Sequence, residues 1–246
     1  MRDLLRGELR KAATGRTWWI LLLAGTFLCL LSTFGFASQA HEAAGAEGPA
    51  ASAADDIARS WMMMFLFSSL FGAVLVTREY GAGTISRSVL LAGSRTRLLA
   101  AKTAVATVAG TFFGLAAAAM GGAAVALAPR VYGDAPGFTG ETALILAGVF
   151  VCCLTAAAWG ALVGFAVRNQ AATVAVLITL TLVVDPGVQA LVPEAAQYLL
   201  TIAMSSLYRD VKPDLLSLPW AYAAVAAWLT AAWFAARRLL TARDLA

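Results

Sequence analysis

The chain has 246 residues, of which 61% are hydrophobic and only 13% are charged. Soluble domains carry roughly 25% charged residues, so the composition excludes an ordinary soluble protein and favours one embedded in a lipid bilayer. The net charge of +4 does not indicate a nucleic acid partner, because the basic residues flank apolar segments, where membrane orientation and anionic headgroups explain them.

Residues 1–17 predict an amphipathic helix that lies along the membrane surface. Leu5, Leu9 and Ala12 recur at helical spacing and share one face, and arginines at every fourth position form an adjoining basic stripe. Such a helix lies in the headgroup layer, with its arginines reaching towards phosphates. Two roles are open: an anchor that fixes topology, or a lever that links a cytoplasmic partner to the first membrane span.

Six apolar segments are long enough to cross the membrane, since a transmembrane helix needs about 20 apolar residues. They are continuous runs of Ala, Leu, Val and Gly rather than the alternating pattern of a membrane β-barrel. The predicted spans are residues 18–38, 60–76, 103–128, 142–167, 171–192 and 218–236. The sequence therefore predicts an all-α integral membrane protein in which residues 1–246 form a single transmembrane domain.

The loops between these spans alternate in charge. One set of loops holds 14 of the 18 lysines and arginines and four of the 14 acidic residues: residues 1–17, 77–102, 168–170 and 237–246. Lysine and arginine resist translocation, so this set is predicted to face the cytoplasm. With six spans, both termini then lie in the cytoplasm of a multi-pass protein of the cell inner or plasma membrane.

The cytoplasmic loop 77–102 has an internal organisation that simple connection does not require. Gly83 permits a sharp turn, Thr84 can cap a short helix that begins there, and Gly93 can end that helix. The loop is therefore predicted to hold a short helix parallel to the membrane. A docking surface and an ordinary loop with a helical turn are both open at this point.

Spans three and four contain the spacing that lets helix backbones approach closely. The two repeats are Gly110-x-x-x-Gly114 and Gly160-x-x-x-Gly164. Packing within the chain is the favoured interpretation, and a dimer seam is the alternative.

Residues 185–217 are predicted to form short re-entrant helices on the outer side, between spans five and six. Asp185-Pro186-Gly187 predicts a helix break near the outer face, and the apolar residues that follow are too interrupted by Pro193 and Pro213 for two further crossings. Asp185 and Pro186 are a candidate outer gate. The alternative for Asp185 is an ordinary turn residue at the membrane interface.

The residues for catalysis or metal binding are missing from the sequence. The single histidine, His41, excludes multi-histidine metal motifs, so no catalytic, cofactor or metal site is predicted. Lys102-Thr103 resembles the end of a phosphate-binding loop, but Thr96 and Ala101 stand where that loop needs glycines. The spans also lack the ladder of buried charges expected of an ion-coupled pump. Energy for uphill transport is therefore expected from another polypeptide.

The loop 77–102 resembles a segment of a known family. Glu79-Tyr80-Gly81-Ala82-Gly83-Thr84, followed by Arg87, Leu90-Leu91 and Arg95, is similar to the region between spans two and three in permease subunits of ABC-2 type exporters. The turn Val167-Arg168-Asn169-Gln170 is also similar to that family's inner turn between spans four and five. The order of elements agrees: an N-terminal interfacial helix, six spans, and a broken outer segment.

The resemblance implies that the loop holds a coupling helix that seats in a groove of a separate ATPase subunit. The coupling residues would be Glu79, Gly83, Thr84, Arg87, Leu91 and Arg95. Ile85, Val89 or Leu91 would supply an apolar plug, and the arginines would steer towards an acidic ATPase surface. The implied partners are an ATPase dimer, which holds ATP and Mg²⁺, and a second permease copy, either identical or a paralogue.

Two other functions use the same topology. A non-transporting membrane anchor or assembly subunit needs no translocation path, and an intramembrane enzyme would need paired polar residues at one depth, which the sequence does not show. Among ABC-2 type exporters, the small outer region of this chain disfavours the members that process peptides or sense tension in the cell envelope. Drugs, lipids, antibiotics and small peptides all remain open as substrates.

Overall fold

The structure, a computed structural model, describes residues 2–44, 51–132, 137–212 and 214–242. Within these ranges the chain forms helices and no strand. The α-helices are α1 (Arg2–Thr14), α2 (Thr17–Ala44), α3 (Ala51–Ser60), α4 (Met64–Gly81), α5 (Ile85–Ala92), α6 (Arg95–Tyr132), α7 (Gly140–Val167), α8 (Gln170–Thr179), α9 (Asp185–Leu191), α10 (Pro193–Ala196), α11 (Leu200–Leu207) and α12 (Leu218–Ala242).

Within the described residues, six helical stretches are long and apolar enough to cross a membrane, which confirms the predicted number. They are Thr17–Phe36, Ala54–Gly81, Arg95–Ala128, Gly140–Val167, Gln170–Leu191 and Leu218–Ala242. The second is longer than predicted because α3, a single 3-10 turn and α4 follow one another with helical backbone at the junctions. The position of α1 along a membrane surface and the re-entry of the outer helices stay predictions.

Helices α4 and α7 form the centre of the bundle and touch backbone to backbone. Gly72 on α4 faces the carbonyl of Ala157, and Gly160 on α7 faces the carbonyl of Ser69, so closely that a Cβ at either glycine would overlap it. The repeat that begins at Gly110 packs against α7 in the same way. The two glycine repeats therefore serve packing within the chain, as the favoured interpretation predicted.

The predicted helix break at Asp185-Pro186-Gly187 is wrong. Helix α8 passes through a π-helical turn, Leu180–Val184, directly into α9, and the backbone at Asp185 is helical. Proline normally interrupts a helix because it lacks an N–H and collides with the carbonyl four residues earlier. The wider π turn just before Pro186 removes this conflict. The helix ends only at Leu191, and Pro193 begins the next one.

The segment between α9 and α12 contains two further short helices, α10 and α11. Helix α11 is buried along nearly its whole length, and its last residue, Leu207, brings its carbonyl against Gly148 on α7. A Cβ at position 148 would overlap that carbonyl. Helix α11 is thus packed firmly on the centre of the bundle.

Candidate functional site

Helix α5 is a separate rod of eight residues between two glycine turns. Gly83 has a φ of 63°, and the amide of Thr84 donates to the carbonyl of Glu79 at 2.9 Å, which closes the turn after α4. Gly93 has a φ of 76° and donates to the carbonyl of Val89 at 3.0 Å. The predicted limits of the helix are confirmed. Thr84 occupies the position before the helix, but its side chain makes no capping hydrogen bond there.

The two faces of α5 differ sharply in burial. Ile85 is 2% exposed and packs with Leu98 of α6 and Leu4 of α1. Leu90 and Leu91, on the other side, are 81% and 72% exposed. Helical spacing explains the difference, because positions four and seven residues beyond Ile85 share its inward face.

This orientation corrects part of the prediction about an apolar plug. Ile85 is not available to a partner, since it is already buried, and Val89 is half-buried against the same cluster. Leu91 is exposed as predicted, and Leu90 is exposed beside it. Arg87 is also exposed, so the outward surface of α5 combines two leucines with a guanidinium group.

A group of four charged residues, two of them buried, connects α1, α4 and α6 next to α5. We call Glu8, Lys11, Glu79 and Lys102 the charge cluster. The Nζ of Lys102 lies 2.8 Å from Glu8 Oε2 and 2.9 Å from Glu79 Oε1. The Nζ of Lys11 lies 2.6 Å from Glu8 Oε1 and 3.1 Å from Glu79 Oε1. Two acids and two lysines therefore neutralise each other.

Burial makes the pairing in the charge cluster necessary. Lys102 is 1% exposed and Glu8 is 2% exposed, and an isolated charge in such surroundings would carry a large desolvation penalty. Burial by itself lowers the pKa of Lys11, but hydrogen bonding and attraction to Glu8 and Glu79 outweigh it, so the pKa is raised overall. Lys11 therefore stays charged and holds the two carboxylates together.

The charge cluster is not predicted from the sequence. The predicted apolar face of α1 consists of Leu5, Leu9 and Ala12, whereas its buried residue is Glu8 and Leu9 is 38% exposed. A usable signal was present: Lys102 is the one charged residue in the apolar stretch from Leu98 to Val125. Its acidic partners could not be identified, because they lie 94 and 23 positions away in the chain.

The carboxyl end of α12 is hydrogen-bonded to two arginines near α5 and α7. Arg95, at the start of α6, donates to the carbonyl of Leu240 at 2.7 Å and to that of Thr241 at 3.2 Å. Arg168, after α7, donates to the carbonyl of Leu239 at 2.8 Å. Cations at the carboxyl end of a helix satisfy its last carbonyls and its dipole. The predicted contact of Arg95 with an ATPase stays a prediction, and its observed contact is with α12.

An open groove of about 570 Å³ lies between α1, the end of α4, α5 and the start of α6. We call it the α1–α5 groove. Phe71, Val74 and Leu75 form an apolar wall, and Arg78 and Arg87 line it together with the charge cluster. Residues 71, 75 and 78 share one face of α4, so the groove follows that helix for roughly 10 Å from its apolar part to its arginine.

The candidate outer gate lies elsewhere in the fold, at α9. Asp185 is 6% exposed, and its carboxylate accepts a hydrogen bond from the hydroxyl of Thr201 on α11. Pro186 is exposed. The structure therefore brings Asp185 together with the firmly packed α11, whereas the six predicted coupling residues lie in or beside α5.

Residues 4–187 match the protein family described as ABC-2 family transporter protein. This match covers more than half of the 246 residues and includes α1 to the first turn of α9. No curated protein matches the chain. With its six candidate spans, the chain therefore belongs to the ABC-2 transporter family, as a membrane-spanning permease component.

Proposed function

We propose that the chain is the membrane-spanning subunit of an ATP-driven exporter and that residues 77–102 couple it to a separate ATPase. A dimer of that ATPase binds ATP and Mg²⁺, and a second permease copy, identical or a paralogue, completes the translocation path. Both termini and α5 lie on the cytoplasmic side of a plasma or inner membrane. The chain itself supplies no catalytic group.

The outward face of α5 is the observation that carries this proposal. Leu90 and Leu91 are 81% and 72% exposed on a helix that the charge pattern predicts to be cytoplasmic. Covering such side chains is favourable by roughly 25 cal/mol for each Å² of apolar surface removed from water. A protein groove that receives both leucines satisfies this, and exposed Arg87 can steer an acidic partner surface towards them.

The remaining predicted coupling residues are placed to pass a movement of α5 to other helices rather than to contact the ATPase directly. Gly83 and Thr84 set the point where α5 begins. Glu79 connects α4 to Lys11 of α1 and to Lys102 of α6. Arg95 connects the start of α6 to the end of α12. A displacement of α5 would pass to α1 and α6 through the packing of Ile85 against Leu4 and Leu98. From there the polar contacts would carry it to α4 and α12.

Co-purification with the cognate ATPase tests the proposal. We expect Leu91→Asp, Arg87→Glu and Gly83→Pro each to reduce recovery of the ATPase, the first by about tenfold, because full burial of a leucine side chain contributes about 1.5–3 kcal/mol and a tenfold loss corresponds to about 1.4 kcal/mol. Val211→Asp is the matched control, since Val211 is 74% exposed but lies in the predicted outer segment. If α5 variants and control recover equal amounts of ATPase, the coupling assignment fails.

ATP-dependent efflux from vesicles that contain both subunits tests the transport part separately. We expect export that requires ATP and that α5 variants abolish. ATPase association without any ATP-dependent substrate movement would instead indicate the alternative function, a non-transporting anchor or assembly subunit.

A further inference from the structure

The α1–α5 groove crosses from apolar to charged surroundings. Phe71, Val74 and Leu75 lie within the candidate span Ala54–Gly81, whereas Arg87 belongs to the exposed helix α5. A molecule that fills the groove must therefore be apolar at one end and polar at the other. Its volume of about 570 Å³ falls in the range of roughly 300–1,000 Å³ that is usual for small-molecule sites.

The polar end of the groove has an excess of positive charge. The charge cluster contributes two carboxylates and two ammonium groups, which pair with one another at 2.6–3.1 Å. Arg78 and Arg87 are both exposed, and no carboxylate among the described residues forms an ion pair with either. The groove therefore presents two guanidinium groups whose charge is not neutralised inside the described part of the chain.

From this combination we propose that the α1–α5 groove binds an anionic phospholipid from the leaflet on the α5 side. The phosphate group lies between Arg78 and Arg87, because a guanidinium presents paired donors that match phosphate oxygens. The glycerol and the first acyl carbons lie along Phe71, Val74 and Leu75. Arg87 and Leu91 line this groove and also belong to the face of α5 proposed to meet the ATPase, so lipid binding is measured on the chain without the ATPase.

Native mass spectrometry of the purified full-length chain in detergent tests the proposal. The probes are phosphatidylglycerol, phosphatidylcholine and inorganic phosphate. We expect tighter retention of phosphatidylglycerol than of phosphatidylcholine, by about tenfold, because only the former has a net negative headgroup. Equal retention of the two lipids would overturn the proposal without any variant.

Substitutions of the two groove arginines test whether phosphatidylglycerol binds in the α1–α5 groove. We expect Arg78→Gln with Arg87→Gln to weaken phosphatidylglycerol binding by roughly thirtyfold, since each basic residue near an anionic headgroup contributes about a factor of five. The lysine pair, Arg78→Lys with Arg87→Lys, should recover part of the loss by restoring charge without the paired donors.

The matched control is Arg237→Gln with Arg238→Gln, which removes the same charge from exposed positions at the end of α12. We expect it to change binding by no more than about twofold. If the control weakens binding as much as the groove variant, general charge and not the groove holds the lipid. If inorganic phosphate displaces phosphatidylglycerol at comparable concentrations, the site holds free phosphate and the lipid assignment is wrong.

Discussion

Lys102 shows how one residue can set the position of three helices. Its side chain is 1% exposed, and the ammonium group lies within 2.9 Å of a carboxylate on α1 and of another on α4. Replacing a whole buried ion pair by apolar residues is often neutral, but removing one member leaves a buried charge without compensation. The arrangement therefore penalises any state in which α1 or α4 leaves α6.

We expect Lys102→Met to lower the free energy of unfolding by about 3–5 kcal/mol, because Glu8 and Glu79 lose their buried partner. Thermal unfolding of the purified protein in detergent measures the effect. Lys212→Met is the control: Lys212 is 46% exposed and 3.4 Å from its acidic partner, so its loss should cost no more than about 1 kcal/mol. Adding Glu8→Leu to Lys102→Met should recover part of the stability. Equal effects of Lys102→Met and the control would contradict the role of the cluster.

Among the elements, α9 and α11 are joined by a single buried polar contact. The hydroxyl of Thr201 donates to the carboxylate of Asp185, and α11 is fixed on α7 through Leu207 and Gly148. An ionisable group at the end of a membrane span is commonly functional. We therefore propose that Asp185 and the adjacent Pro186 form an outer gate whose closed position Thr201 maintains.

Thr201→Val tests the gate while keeping the shape of the side chain. The buried carboxylate of Asp185 loses its donor, which should cost about 1–3 kcal/mol of stability. We also expect altered efflux with unchanged ATPase association. Thr241→Val is the control, because the hydroxyl of Thr241 donates to the carbonyl of Arg237 at an exposed site. Normal efflux by Thr201→Val would reject the gate.

The elements differ in how far the sequence predicts them. The spans and the limits of α5 follow from local rules: apolar length for the former, and glycine turns at Gly83 and Gly93 for the latter. The continuation of the helix through Pro186 could not be predicted, because the π turn that permits it has no distinctive residues. The burial of Glu8 depends on a lysine far along the chain, and no local pattern encodes that contact.

For the whole molecule, the proposed ATPase coupling depends on which side of the membrane α5 occupies. The excess of lysine and arginine in one set of loops predicts the cytoplasm. The native cysteines make a clean test possible, since they are fully buried and unpaired: Cys29, Cys152 and Cys153.

We expect Leu90→Cys to react with a membrane-impermeant thiol reagent only in inside-out vesicles. Val211→Cys, in the predicted outer segment, should react only from the outside of intact cells. Both positions are more than 70% exposed, so access to the side chain does not limit labelling, and the unmodified chain supplies the background. Labelling of Leu90→Cys from outside alone would remove the basis for ATPase coupling.

The contact between α4 and α7 limits how such a protein can change shape. Their backbones interlock at Gly72 and Gly160, with no side chain between them, so neither helix can roll or slide past the other without collision. By contrast, only 11%, 17% and 11% of the apolar windows of spans one, five and six are buried within the chain. We therefore expect α4 and α7 to move as one rigid unit. The rearrangements of a transport cycle should occur in the helices of spans one, five and six, which pack around this unit.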